Sequence, residues 1–127
     1  ICAHKHTNSI VVTASVDNIT FKKPIYKGDI VTLNTFITRV FHSSMEIFIE
    51  VTAQSSTNKK IIKSNTAFFT FVSLNKKGKP IKAVNVYPKD DDDKKLYDGA
   101  LRRRQLRLIL AGKMKPEDAG ELKSIFS

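Results

Sequence analysis

The sequence contains a single cysteine, Cys2, among 127 residues. One cysteine cannot form an internal disulfide and supplies no cysteine-rich metal framework, so a reducing compartment is expected. There is also no apolar run of about 18 residues, no signal peptide and no basic amphipathic targeting segment. These absences predict a soluble, cytoplasmic chain stabilised by packing, and its length and hydrophobic content fit one globular domain.

Short motifs of several enzyme classes are absent as well. There is no G-x-S-x-G elbow, no H-E-x-x-H pair, no P-loop and no G-x-G-x-x-G turn. His42 lies in a turn, where a solvated histidine is expected. Asp17 is either a buried general base or, as we favour, a carboxylate paired with a neighbouring lysine. Glu46 and Glu50 are assigned to the water-facing side of a strand, so none of these residues is a convincing catalytic group.

The N-terminal residues Cys2, His4 and His6 raise the question of a metal site. On a helix positions 2 and 6 share a face while position 4 points away, and no second cluster of ligands follows along the chain. We therefore predict no metal, and interpret the stretch as the end of a helix.

Basic residues are in large excess. The formal net charge is +10, and residues 1–89 carry 13 Lys and Arg against 4 Asp and Glu. Such a surplus indicates an anionic partner. The run LRRRQLRL at 101–108 is either a solvated basic face or a phosphate-binding face, since guanidinium groups match phosphate well. Nucleic acid is not favoured, because the strands lack the aromatic signature of RNA-binding sheets.

Four segments rich in β-branched and aromatic residues predict strands, and the short turns between them predict an antiparallel meander. Their ranges are 9–21, 29–41, 44–55 and 60–74. In the third strand, apolar residues from Met45 onward alternate with polar ones, which predicts one buried and one water-facing side. Phe48 is the apolar exception on the water-facing side, which suggests a partner there. After Pro88 we predict one helix from near Asp92 to Gly112 and a short one from Pro116 to near Phe126. Strands first and helices last indicate an α+β fold.

Three segments, VTASVDNITFKKPIYKGDIV, TRVFHSSMEIFIEV and SNTAFFTFVSLNKKGKP, resemble in order and spacing the acyl-CoA thioesterases of the hotdog superfamily, in the cytosolic acyl-CoA hydrolase group. The resemblance implies an antiparallel sheet wrapped around a central helix, of which only the end would be present, with C-terminal helices. It implies an N-terminally incomplete hotdog domain at 1–88 and a C-terminal helical extension at 89–127. The family's N-terminal strand and most of its central helix are expected upstream of Ile1.

The implied function is hydrolysis of acyl-CoA to a free fatty acid and CoA, with no cofactor because CoA is part of the substrate. The alternative is a non-catalytic module that binds acyl-CoA. The resemblance implies a homodimer or a trimer of dimers. The lack of a long apolar run predicts no membrane partner, and a nucleic-acid partner is not favoured. The family's catalytic Asp and Asn are expected upstream of Ile1, so the catalytic residues are not identified in this chain.

The resemblance also implies contacts with CoA. Ala14, Ser15 and Val16 are expected to line the path of CoA and its pantetheine arm, and Ser43, Ser44 and Met45 to contact CoA from the next strand pair. Arg104 aligns with an arginine that meets the nucleotide phosphates; Arg103 takes its place if the alignment shifts by one residue.

Overall fold

The computed structural model describes residues 1–120, except for the side chain of Asn18. The chain divides into two compact units, residues 1–85 and residues 86–127. In chain order the elements are α1 (Cys2–Thr7), β1 (Ile10–Phe21), β2 (Ile30–Val40), β3 (Ser44–Gln54), β4 (Ile61–Leu74), α2 (Asp91–Leu110) and a 3-10 helix (Pro116–Asp118).

All four predicted strands are present, and each of their ends lies within about a residue of the predicted one. The strands form a single antiparallel sheet. Their β-branched and aromatic side chains fit a pleated, half-buried surface, which explains why the sequence pattern located them well. The prediction of an α+β fold with an antiparallel sheet is confirmed.

The predicted meander is wrong at its first connection. The strand order is β1-β4-β3-β2, so β1 pairs with β4 and lies at the opposite edge from β2. The eight residues 22–29 cross the end of the sheet. Three strand spacings of ~4.8 Å amount to ~14 Å, whereas eight extended residues reach ~26 Å, so the connection is long enough. Ser64 holds it there, because its carbonyl accepts the N–H groups of Lys22 and Lys23.

One face of the sheet is strongly apolar. Met45 and Ile47 are 0% and 2% exposed, and their partners in β4 on this face are Phe71 and Phe69. The predicted apolar face of the third strand is therefore confirmed at these positions. Phe48 belongs to the other face, where its ring lies between those of Phe36 and Phe68, with centroids 6.5 and 5.0 Å away. Phe48 therefore packs against rings of both neighbouring strands, and its contact with a partner stays a prediction.

The first helix ends immediately before the sheet. α1 spans Cys2–Thr7 and stops at Asn8, which adopts a left-handed conformation with φ of 50°. Asparagine tolerates this conformation better than most residues, so it is a suitable helix terminator. The interpretation of the N-terminal stretch as helical is confirmed.

In the second unit, α2 begins one residue before the predicted start and ends at Leu110, two residues before Gly112. The carboxylate of Asp90 caps it by accepting the N–H of Asp93 at 2.7 Å. The second predicted helix corresponds to the 3-10 turn at Pro116–Asp118, and its predicted end near Phe126 lies outside the described residues. Within residues 1–120, no helix is both long and apolar enough to cross a membrane.

Candidate functional site

Ala14, the first predicted CoA contact, lies in a bulge of β1. The pairing with β4 runs from Thr13 opposite Phe71 directly to Ser15 opposite Thr70, so Ala14 has no partner position. A bulge takes one residue out of the hydrogen-bond ladder and turns its peptide groups toward other partners. Ala14 is exposed and small, so a ligand could approach its backbone closely.

Ser15 is oriented by a neighbouring carboxylate. Its hydroxyl donates to Oδ2 of Asp17 at 2.9 Å, and both residues are half-buried. A hydroxyl whose proton is committed to a carboxylate has its lone pairs left to accept hydrogen bonds. Ser15 is therefore arranged to accept an N–H from a ligand, and the pantetheine arm of CoA carries two amide N–H groups. The donor observed for Asp17 is thus a serine two residues away, and its pairing with a lysine stays a prediction.

The predicted contacts Ser43 and Ser44 stand at the turn between β2 and β3. The carbonyl of Ser44 accepts the N–H of Phe41 at 2.9 Å, and the carbonyl of Ser43 accepts the N–H of Ser73 at 2.8 Å. The first hydrogen bond closes the turn, and the second attaches the turn to β4. Met45 follows as a fully buried side chain, so a ligand contact at this position would fall to the main chain.

The sheet register brings these two predicted segments to the same end of the sheet. Phe71 of β4 lies opposite Thr13 on one side and opposite Met45 on the other. Two strand spacings, about 10 Å, therefore separate the backbone of β1 next to Ala14 from that of β3 at Met45. Val16 is 43% exposed and points to the apolar face. An extended pantetheine arm could contact both segments at this distance.

Arg104 belongs to the second unit and is half-buried on α2, one turn after the fully buried Ala100. Burial lowers the pKa of Arg104 from its usual value, and the positive charge of Arg107 lowers it further. The guanidinium nevertheless stays charged, because arginine starts from a very high pKa. A partly desolvated cation next to another cation gains from an anionic partner.

The other candidates have structural roles. The ring N–H groups of two histidines donate to carbonyl oxygens, His4 Nδ1 to Ser9 at 2.8 Å and His6 Nε2 to Val84 at 2.6 Å. Within residues 1–120 there is no group of three His, Cys, Asp or Glu side chains that could hold a metal ion. His42 is exposed in its turn, as predicted. The arrangement around Cys2 is that of a helix end.

The assignment of Glu46 to a water-facing surface is wrong. Its side chain is only 1% exposed, and its Oε1 accepts the hydroxyl of Thr38 at 2.6 Å. Thr38 occupies a second bulge, between Ile37 and Arg39, which brings its hydroxyl to Glu46. Glu50 does lie near solvent, where its carboxylate forms an ion pair of 3.3 Å with Lys63. Alternation separated the two faces correctly but gave no measure of how buried each one is.

A cleft of about 420 Å³ lies at the far end of β1 from these segments. It is lined by Phe21, Lys22, Lys23, Pro24, Ile25, Ser64 and Asn65. None of the predicted contacts lines it, and it opens widely to solvent. We therefore centre the candidate site on the bulge of β1 and the turn before β3.

Comparison with known proteins identifies the family of this chain. Residues 1–59 match the family model of the thioesterase superfamily. The structure of an apo-hexameric acyl-CoA thioesterase superposes with a TM-score of 0.81 at 34% identity, over 86% of this chain and 70% of that one. The chain belongs to the hotdog-fold acyl-CoA thioesterase family. The predicted hotdog fold is thereby confirmed.

Two further relatives support membership of this family. An acyl-CoA hydrolase from Staphylococcus aureus, solved with butyryl coenzyme A, coenzyme A and coenzyme A disulfide, gives a TM-score of 0.77 at 37% identity over 87% of this chain and 70% of that one. The cytosolic acyl coenzyme A thioester hydrolase of Rattus norvegicus is 36% identical over 120 residues, or 92% of this chain. The chain spans 32% of the length of that rat relative.

Proposed function

We propose that this hotdog-family protein is an acyl-CoA thioesterase that hydrolyses acyl-CoA to a free fatty acid and CoA. The observation that carries the proposal is the combined sequence and structural match to acyl-CoA hydrolases, one of them solved with butyryl coenzyme A bound. The basic charge of the chain suits a substrate with several phosphate charges.

In the proposed reaction, water adds to the thioester carbonyl carbon, the carbon–sulfur bond breaks, and CoA leaves as the thiolate and takes up a proton. A carboxylate that activates water and backbone N–H groups that stabilise the oxyanion suit this chemistry. We propose that no cofactor takes part, since CoA is itself part of the substrate.

The described residues would supply the binding half of the site. We propose that Ser15 accepts an amide N–H of pantetheine while Asp17 fixes its hydroxyl, and that the bulge at Ala14 and the turn at Ser43 and Ser44 border the same arm. Arg104 would pair with a nucleotide phosphate, since arginine and phosphate form strong charge-assisted hydrogen bonds.

We further propose that the protein acts as a homodimer or a trimer of dimers in the cytoplasm, without membrane or nucleic-acid partners. The hexameric thioesterase among its structural neighbours and the cytosolic hydrolase of the rat support this assignment.

The test is thiol release from a panel of short- to long-chain acyl-CoA substrates by protein expressed from the complete gene. We expect saturable release of CoA with at least one chain length. Tight CoA binding without thiol release on any substrate would replace the enzyme with a binding module.

A further inference from the structure

The cleft at the far end of β1 is held in place by a buried serine. Ser64 is 0% exposed and forms hydrogen bonds with the connection that follows β1. Its carbonyl accepts the N–H groups of Lys22 and Lys23 at 2.8 and 3.3 Å, and its hydroxyl donates to the carbonyl of Lys23 at 2.7 Å. A site whose walls are already fixed binds a ligand without the cost of ordering them first.

The same serine orients a polar side chain in the wall of the cleft. The hydroxyl of Ser64 shares its proton with Oδ1 of Asn65, which lies 3.0 Å away. An asparagine amide carries one acceptor oxygen and one NH2 donor group, so an oxygen turned toward the serine leaves the NH2 group to donate elsewhere. Because Asn65 lines the cleft, this donor suits a ligand that accepts hydrogen bonds.

The cleft combines positive charge with apolar surface. Lys22 and Lys23 line it together with the apolar side chains of Phe21, Pro24 and Ile25, and none of its lining residues is acidic. Neither lysine has an ion-pair partner within residues 1–120. The Phe21 side chain is 77% exposed, which is unusual for a large apolar group unless a partner covers it. A ligand with a negative head and an apolar body matches both features.

We propose that this cleft binds a carboxylate attached to an apolar chain, the chemical class to which free fatty acids belong. The carboxylate accepts from the two lysine ammonium groups and from the NH2 group of Asn65, and the chain packs over Phe21 and Ile25. The cleft volume of about 420 Å³ lies within the roughly 300–1,000 Å³ typical of small-molecule sites. Phosphate is favoured less, because phosphate sites prefer the planar fork of arginine and no arginine lines the cleft. The inference goes beyond the proposed function, since it requires no hydrolysis.

The test is calorimetric titration of octanoate into protein from the complete gene, with octanol as the uncharged ligand of the same chain length. We expect octanoate to bind at least about threefold more tightly than octanol, a modest ratio because exposed ion pairs are individually weak. The difference should shrink as the salt concentration rises, since salt screens exposed charges.

A pair of lysine variants locates the bound octanoate. K22A/K23A removes both charges and should weaken octanoate binding about threefold or more, while octanol binding changes less than about twofold. K76A/K77A is the matched control, because it removes two adjacent exposed lysines from the turn after β4, which does not line the cleft. The control should leave the binding of both ligands unchanged.

Asn65→Asp tests the same site through its other polar group. Aspartate keeps an oxygen that can accept the Ser64 hydroxyl, but it replaces the NH2 donor with a negative charge. We expect octanoate binding to fall further than in K22A/K23A, because like charges repel, while octanol binding changes little. The melting temperature of each variant, measured alongside, shows that the variant is folded.

The outcomes separate this inference from the proposed function. The inference is overturned if octanoate does not bind, if octanol binds equally well, or if K22A/K23A binds octanoate as the unsubstituted protein does, since the ligand then lies elsewhere. Each of these results leaves thiol release from acyl-CoA as a separate question. If octanoate binding depends on the two lysines but no acyl-CoA is hydrolysed, the inference stands and the proposed activity fails.

Discussion

Glu46 is the residue whose surroundings depart most from its sequence pattern. It alternates with buried apolar neighbours, as a residue facing water would, yet it is 1% exposed and accepts a hydrogen bond from Thr38. A buried carboxylate is tolerated only where hydrogen bonds or charges compensate its lost hydration. The hydroxyl comes from a bulge in the neighbouring strand β2, and such a bulge cannot be predicted from the alternation around Glu46.

Replacing Thr38 tests the importance of this hydrogen bond. We expect Thr38→Val to lower the free energy of unfolding by about 1–3 kcal/mol, because a buried carboxylate loses one of its hydrogen bonds while the shape of residue 38 is kept. Urea denaturation measures the change. Thr38→Ser keeps the hydroxyl and should retain more of the stability; an equal loss in both variants would show that the hydrogen bond is not the cause.

Ser15 and Asp17 provide a prediction about substrate binding. Asp17→Ala removes the acceptor that orients the Ser15 hydroxyl, so we expect KM for acyl-CoA to rise about two- to tenfold, as for the loss of an uncharged hydrogen bond, with kcat less affected. Asp17→Asn keeps an acceptor oxygen, so its KM should stay close to that of the unsubstituted protein. Ser56→Ala, in an exposed loop, is the control. A loss confined to kcat would place Asp17 in the chemistry instead.

At the scale of elements, the strand ranges were predictable and the strand order was not. Composition and alternation depend on residues close in sequence, and they located β1–β4 within about a residue. The pairing of β1 with β4 joins Ile10 to Leu74, and no local signal encodes such a distant contact. A connection of eight residues fits a wide hairpin as well as a crossing of the sheet end, so its length left both arrangements open.

The start of α2 offers a prediction at this scale. Asp90→Ala removes the cap on the N–H of Asp93 and should destabilise the protein by about 1 kcal/mol. Thermal unfolding followed by circular dichroism measures the loss. Asparagine caps about as well as aspartate, so Asp90→Asn should stay within a few tenths of a kcal/mol. An equal loss of stability in both variants would show that the negative charge at the helix N-terminus, and not the capping hydrogen bond, is the cause.

At the scale of the whole molecule, part of the candidate site followed from the sequence and part did not. The resemblance supplied the residues along β1 and the turn before β3, and the register of the sheet explains how they come to one end. The hydrogen bond between Ser15 and Asp17 depends on side-chain geometry that the spacing of residues in the sequence does not encode.

The assembly of subunits is a second property of the whole molecule. We expect protein from the complete gene to sediment as a dimer or as a hexamer, since the proposed unit is a homodimer or a trimer of dimers. Sedimentation velocity at several concentrations distinguishes the two. A monomer across that range would contradict the proposed assembly.

The central claim is that the protein hydrolyses acyl-CoA and recognises the nucleotide part of its substrate. The most direct measurement compares kcat/KM for an acyl-CoA with that for the same acyl group on pantetheine, followed by thiol release. We predict hydrolysis of the acyl-CoA with kcat/KM at least about tenfold higher, because charged hydrogen bonds to phosphate are each worth about 1.5–3 kcal/mol. Equal values for the two substrates, or no thiol release from either, would contradict the account.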